Sequence, residues 1–224
     1  AGNVTQTGSE TLTNKTLTDA VAITNSVTGQ IIPGKTEGTN FTGSLLVGHA
    51  TTGTLNAASN NTGVGIAALD ALTSGDSNTA IGYQSGTKIT TGGNNTAIGE
   101  TSLFLNTSGS SNTAMGHQSL YALASGSNNT AVGRVALSST TGDNNVGIGK
   151  SAGSNITSGD GNVIIGVNTN ADSATGDRQL KISGNDGSTA TTWISGDSSG
   201  NVTVAGTLTT SSGLVAAQAD VTAL

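Results

Sequence analysis

Five letters, NTAIG, occupy residues 78–82 and again 95–99, and near-copies stand at 61–65, 112–116, 129–133, 145–149 and 162–166. Their final glycines are Gly65, Gly82, Gly99, Gly116, Gly133, Gly149 and Gly166, spaced by 17 with one step of 16. Gly48, at the end of LLVG, lies one further period back. A second glycine trails the first by ten at Gly75, Gly92, Gly109, Gly126, Gly159 and Gly176, and by nine at Gly142. Two phase-locked glycine columns at so short a period mean stacked supersecondary units. The period is too short for a helical hairpin, and the segments between glycines are too short for helices. β-Branched residues alternate instead. The expected unit is one coil of a parallel β-solenoid, or β-roll, with two short strands and two glycine-bearing turns. At about 4.8 Å per stacked strand, eight coils extend about 38 Å.

Side chains alternate along a strand, so the positions one and three before the first glycine share a face. One holds Val64, Ile81, Ile98, Met115, Val132, Ile148 and Ile165; the other holds Thr62, Thr79, Thr96, Thr113, Thr130, Val146 and Val163. Thr and Val are nearly isosteric and both are stiff β-formers. Their exchange within one column predicts that both columns point inward. The small column between them, Gly63, Ala80, Ala97, Ala114, Ala131 and Gly147 with Ile164 as exception, is then expected outside, where another backbone can come close. After the glycine, a second strand is expected. Its fourth position holds Leu69, Leu103, Leu120 and Leu137, with gaps at Gly86 and Gly153. The position directly after the glycine varies freely, as a solvent-facing column does.

Asn61, Asn78, Asn95, Asn112, Asn129, Asn145 and Asn162 stand four before the glycine in all seven motifs. Stacked in register, such amides can bond to the amides above and below, and Asn suits turn backbone. The expected role is structural, with no metal or glycan assigned to the column.

Composition limits the chemistry. The 224 residues contain 7 Lys+Arg, 13 Asp+Glu, no cysteine and 2% aromatics. The acidic balance, without a basic run or aromatic platform, argues against nucleic acid. No apolar stretch approaches the ~20 residues of a membrane span. Without cysteine there is no disulfide framework and no thiolate metal site. His49 and His117 occupy the same exposed column four coils apart, about 19 Å at the strand spacing. Asp76, Asp143, Asp160 and Asp177 lie beside turn glycines, where Asp bonds locally. Trp193 could stack on a sugar, but a lone Trp in a small β module is expected in its core. No catalytic residue, cofactor site or metal site is expected, and the chain does not read as an enzyme.

The run SNTAIGYQS, GGNNTAIGETSL and GSSNTAMGHQSLYALASGSNNTAVG resembles the head repeats of trimeric autotransporter adhesins, written with NSVAIG-type motifs. It is closer still to the NNTAIGxxAL repeats of bacteriophage tail-fibre proteins. This chain has Thr where the family motif has Val, and residues 145–149 and 162–166 restore the Val. The similarity covers about residues 44–176. SETLTNKTLTDA (9–20) resembles the Thr-Leu repeats of phage fibre shafts. LKISGNDGSTATTWISGDSSGNVTVAGTLTT (180–210) resembles the β-rich linker that often precedes a C-terminal chaperone domain. The resemblance implies a left-handed parallel β-roll and a homotrimer, for which the small column would suit close packing of three chains.

These readings divide the chain into a Thr-rich connector (1–43), a β-roll (44–176), a β-rich linker (177–210) and the start of a coiled coil (211–224). The last rests on Leu214, Ala217, Val221 and Leu224 in an a/d pattern. The chain stops as that pattern begins, as a fragment or a cleaved end would. The expected function is a structural and adhesive segment of a phage tail fibre in the virion, mediating or presenting host attachment. Its expected partners are two further copies, other tail or fibre proteins, and a host-surface glycan or protein. The alternative is the head of a trimeric autotransporter on a bacterial cell surface. An ice-binding solenoid is set aside because Thr and Ile are expected to point inward, and because it needs two outward Thr columns. A depolymerase is set aside because the coils offer no paired carboxylates.

Overall fold

The computed structural model describes residues 57–206 together with four short strands outside that range, all within a unit running from Ile32 to Leu224. The strands are β1 (Gly34–Lys35), β2 (Leu45–Val47), β3 (Thr62–Val64), β4 (Thr79–Ile81), β5 (Thr96–Ile98), β6 (Thr113–Met115) and β7 (Thr130–Val132). They continue with β8 (Val146–Ile148), β9 (Val163–Ile165), β10 (Leu180–Asn185), β11 (Ala190–Gly196), β12 (Val202–Val204), β13 (Thr209–Thr210) and β14 (Gly213–Leu214). No helix occurs among the described residues. From β2 to β9 each strand pairs in parallel with the next, always like with like: Thr79 beside Thr96 beside Thr113, Ala80 beside Ala97 beside Ala114. The chain is a parallel β-solenoid of about eight coils of some 17 residues. β1 pairs antiparallel with β2 at one end; at the other, β10 pairs in parallel with β9, and β11 and β12 follow antiparallel. Of the heptad residues in the tail, Leu214 lies in β14, paired with β13; Ala217, Val221 and Leu224 lie outside the described residues.

The expected second strand of each coil is not a strand. Residues two and four past the glycine are left-handed: φ at Ala67, Leu69, Thr101, Leu103, Gln118, Leu120, Val135 and Leu137 lies between 47° and 62°. Such backbone is unusual for bulky residues, and the stack supplies what holds it. The N–H of Gln84 donates to Ile66 O of the preceding coil (2.8 Å), and the N–H of Leu103 donates to Ser119 O of the following one (2.9 Å). The arm is thereby hydrogen-bonded in both directions without extended geometry. It also turns two neighbouring side chains inward. Ala68 and Leu69 are both fully buried, as are Ser102 and Leu103, where strand alternation would have parted them.

The interior is the reverse of the expected one. Ala80, Ala97, Ala114 and Ala131 are fully buried, whereas Val64, Ile81, Met115, Val132 and Ile148 are 36–41% exposed and the Thr column is half-buried. A three-residue strand offers one inward position, and the leucines of the opposite arm reach it. A Cβ on Gly147 would lie 2.6 Å from Leu137 Cγ, and one on Gly63 would lie 3.6 Å from Leu69 Cδ1 of the arm and 2.5 Å from Cδ2 of Leu46, its partner on β2. The inward strand residue is therefore small from β3 to β8, while on β2 Leu46 itself fills the interior. Ile164 obeys the same volume rule: it enters where Gly153 replaces the leucine, and a Cβ on Gly153 would lie 3.4 Å from its Cγ1.

A further interior column, seven past the glycine, holds Leu72, Ile89, Leu123 and Ile156, interrupted by Asn106 and Thr140. Asn106 is fully buried between the Ile89 and Leu123 coils, and neither of its amide atoms has a hydrogen-bond partner. Each unpaired buried atom costs about 1–3 kcal/mol. Asn106→Leu, matching the rest of its column, is expected to raise Tm by several degrees, at about 2–4 °C per kcal/mol for a chain of this size. A thermal melt followed by circular dichroism checks this; a lower Tm would show that the amide is paired in solution.

Candidate functional site

Three features carry polar or recognition chemistry: the asparagine column, the outward face of the strands, and the meander that closes the stack.

Asn61, Asn78, Asn95, Asn112, Asn129, Asn145 and Asn162 are all buried. The Oδ1 of Asn61 accepts from the backbone N–H of Asn78 (2.9 Å) and from its Nδ2 (3.1 Å). Asn78 Nδ2 also donates across the coil to Gly92 O (2.9 Å). The same set recurs at Asn95, Asn112 and Asn129. At the 16-residue step Asn145 keeps its backbone bond to Asn129 Oδ1 and its bond to Gly159 O. At Asn61, Asn78, Asn95 and Asn112 the amide thus spends two acceptor sites and two donors inside the protein. Gln179 extends the ladder, donating from its N–H and its Nε2 to Asn162 Oδ1. Sequence reading missed this continuation because a different residue type holds the place.

The glycine columns make that reach possible. Gly65, Gly82, Gly99, Gly116, Gly133, Gly149 and Gly166 have φ of 123–136°, which only glycine adopts at no steric cost. In the second column the constraint is space: a Cβ on Gly75 would sit 2.2 Å from Gly92 O, the carbonyl that Asn78 binds. Gly48 lies outside the described residues.

The aspartates extend the same logic at the surface. Asp143 Oδ1 accepts from Ser127 N–H (2.6 Å), Asp160 Oδ1 from Asp143 N–H (2.7 Å) and Asp177 Oδ1 from Asp160 N–H (2.9 Å). Ser110 and Ser127 do likewise through Oγ (3.1 Å each), so Asp and Ser interchange in this column. Among the described residues no three His, Cys, Asp or Glu side chains come together as a metal-binding group. His49 lies outside the described residues, and His117 stands half-buried in its column.

The outward face carries two parallel columns, one of Thr and Val, the other of Ile, Val and Met, in strict register from β3 to β9. This orientation removes one ground for setting aside an ice-binding face. The other stands, because the second column on this face is apolar, and the further Thr column at Thr73, Thr90, Thr107, Thr141 and Thr157 lies in the turns with each Oγ1 donating to a carbonyl of the next coil.

In the meander, Asp186 Oδ1 accepts from the N–H groups of Ser188 and Thr189, and Asp197 binds Asn201 through both its backbone and its side chain. These bonds hold both exposed carboxyls below the ordinary carboxylate range: the largest cause is the Thr189 N–H for Asp186 and the Asn201 side chain for Asp197. Lowered carboxyls support the turns above the ordinary carboxylate pKa and release that support as pH falls through the folded value. Trp193, expected in the core of this module, is 53% exposed.

Comparison of the chain with protein-family models, with curated proteins and with solved structures returns no match. The geometry of the coils therefore carries the functional reading.

Asn95→Ala would leave Asn112 N–H, Gly109 O and Asn78 Oδ1 each short of a buried partner, at ~1–3 kcal/mol apiece. A Tm drop of many degrees is expected, far larger than for exposed Glu100→Ala. Asn95→Asp should be destabilised at neutral pH, where a carboxylate faces two acceptors, and should regain stability below about pH 4 as it protonates. Melts across that pH range test this; an Asp variant equal to wild type at pH 7 would contradict the ladder.

Proposed function

We propose that this chain is a structural and adhesive fibre segment of a phage virion, assembled as a homotrimer and presenting a host-attachment surface. The observation that carries the proposal is the outward column from Val64 to Ile165. Seven residues in register, at about 4.8 Å per step, place a nearly continuous apolar line about 30 Å long on a parallel sheet. Soluble monomers seldom leave such a line uncovered. A second and third copy of the same chain are its natural cover, since a repeating column meets itself in register at every coil. The interface is thus assigned to the Thr/Ile face and not to the small alanine column, which lies inside each coil.

The motif resemblance supplies the number three and the fibre context. Two flanks favour the virion over the cell-surface alternative: the Thr-Leu stretch at 9–20 and the module at 180–210, whose first strand continues the stack as β10. Other tail or fibre proteins would meet the segment end to end. A stack of like coils suits a spacer that carries attachment groups.

Sedimentation velocity at micromolar concentration should give three copies of the 21.7 kDa chain. Ile81→Asp and Ile148→Asp place a charge on the half-exposed outer column, which a single chain tolerates and an apolar interface does not. Both are expected to sediment as smaller species, while Glu100→Ala stays trimeric. A wild-type chain that is a folded monomer would refute the assembly. Loss of assembly without any change in adsorption of the labelled protein to a panel of bacterial strains would refute the adhesive role of the trimer.

A further inference from the structure

Trp193 is the chain's single tryptophan. It is also the one residue that β11 inserts out of step with β10. Ile182 pairs with Ile194 and Ser183 with Thr192, so Trp193 has no partner on β10 and forms a β-bulge. Bulges re-aim a side chain and gather beside functional sites. Here the bulge turns a large aromatic residue outward on a short strand otherwise built of Thr, Ser, Ala, Gly and Ile. The indole is not loose: it lies against Gly184, where a Cβ would fall 2.4 Å from Trp193 Cζ2. The absent side chain leaves room for the ring, and Trp193 O is held by the N–H of Ala205 on the other side (2.9 Å).

The surroundings of the ring are polar. The open groove at Trp193 is lined by Gly184, Asn185, Asp186, Thr189 and Thr191. Asp186 has Oδ1 committed to the N–H groups of Ser188 and Thr189, and Asn185 has Oδ1 committed to the N–H of Gly187. Those bonds hold both side chains through Oδ1, while Asp186 Oδ2 and Asn185 Nδ2 make no hydrogen bond to another described residue. One fixed acceptor, one fixed donor and two threonines thus stand around an anchored aromatic face.

From this arrangement we propose that the bulge of β11 is a carbohydrate-binding site, in which the indole of Trp193 stacks on the C–H face of an uncharged pyranose ring and Asp186 and Asn185 bind its hydroxyls. The pattern is an apolar plate with a few placed polar groups. A sugar ring offers both complements: a face of C–H bonds for the plate and equatorial hydroxyls for the rim. Charge selects within the class. Asp186 remains ionised at neutral pH because its backbone bonds favour the carboxylate, so it accepts from hydroxyls and repels phosphate and uronate. A nucleotide base could stack on the same plate, but the chain is acidic overall, at −6, and holds no cation at this groove to meet the phosphate. The inference rests on the adhesive reading only in that surface glycans would be the source of the sugar.

The single tryptophan makes its own reporter. Full-length chain is titrated with the methyl pyranosides of glucose, galactose, mannose and N-acetylglucosamine to about 100 mM, beyond the millimolar range reachable by one stacked ring. Glycerol and glucuronate serve as controls. A saturable change in Trp193 emission with at least one neutral pyranoside, absent with both controls, is expected. Saturation-transfer NMR should show the same sugar's C–H protons in contact with the protein. That transfer should vanish in Trp193→Leu and weaken about tenfold in apparent affinity in Asp186→Asn, the loss of one charged hydrogen bond. Asp186→Asn keeps the Oδ1 that the turn needs, so it reads the rim without unfolding the loop. No response to any neutral pyranoside would overturn the proposal. So would a Trp193 emission inaccessible to acrylamide in the free protein, since the plate would then be covered by another chain. Sedimentation of the same samples separates this from the fibre reading. A trimer that binds no sugar sinks only the site, and a monomer that binds one sinks only the assembly.

Discussion

The asparagine ladder is the interaction on which the remaining structure depends. Every Oδ1 but that of Asn129 takes two N–H groups from the next coil, and from Asn61 to Asn145 each Nδ2 reaches a glycine carbonyl on the far side of its own coil. One side chain therefore locks the coil-to-coil register and pins the two arms of a coil together. Nothing larger than glycine fits where that carbonyl is presented, and nothing but glycine adopts φ near 130° where the strand ends. The period follows from these demands. A coil that shifted by one residue would leave several buried amide groups unpaired at once, at ~1–3 kcal/mol each.

With register fixed, the distribution of volume follows. Three-residue strands give one inward place each, and the left-handed arm gives two neighbouring ones. The leucines of the arm fill the interior, so the strand contributes alanine. Where Gly153 withdraws the leucine, Ile164 supplies the missing volume. The larger β-branched residues are left on the outer face, where they stiffen the strands and form a ready surface for association. A repeat built in this way needs few bulky residues, because hydrogen bonding between identical coils takes over much of what a deep apolar core does elsewhere.

The period, the parallel stacking and the glycine columns were legible in the sequence, because a ladder of identical contacts has to be written as identical letters. The direction of the side chains was not. A Thr/Val exchange marks a β-branched position equally well inside or outside, and the bulk of Ile favoured burial that the leucines had already claimed. The second arm misled for a different reason. Ala67, Leu69 and Leu103 carry no sign that their backbone is left-handed, since residues of that kind take the conformation only when neighbouring coils hold it. The column at Leu72 and Ile89 was masked by Asn106 and Thr140. Trp193 was assigned to a core because a bulge is a fact of pairing, and pairing of β10 with β11 leaves no signature in either strand alone.

The most direct measurement is hydrogen exchange of the side-chain amides in protein labelled with 15N at asparagine. The ladder predicts that Asn95 and Asn112 Nδ2–H protons exchange as slowly as the backbone amides of β5, because they open only when the coils separate. Exposed Asn170 provides the solvent-rate reference within the same spectrum. Exchange of Asn95 and Asn112 at the rate of Asn170, in protein whose backbone amides remain protected, would contradict the ladder and the register that depends on it.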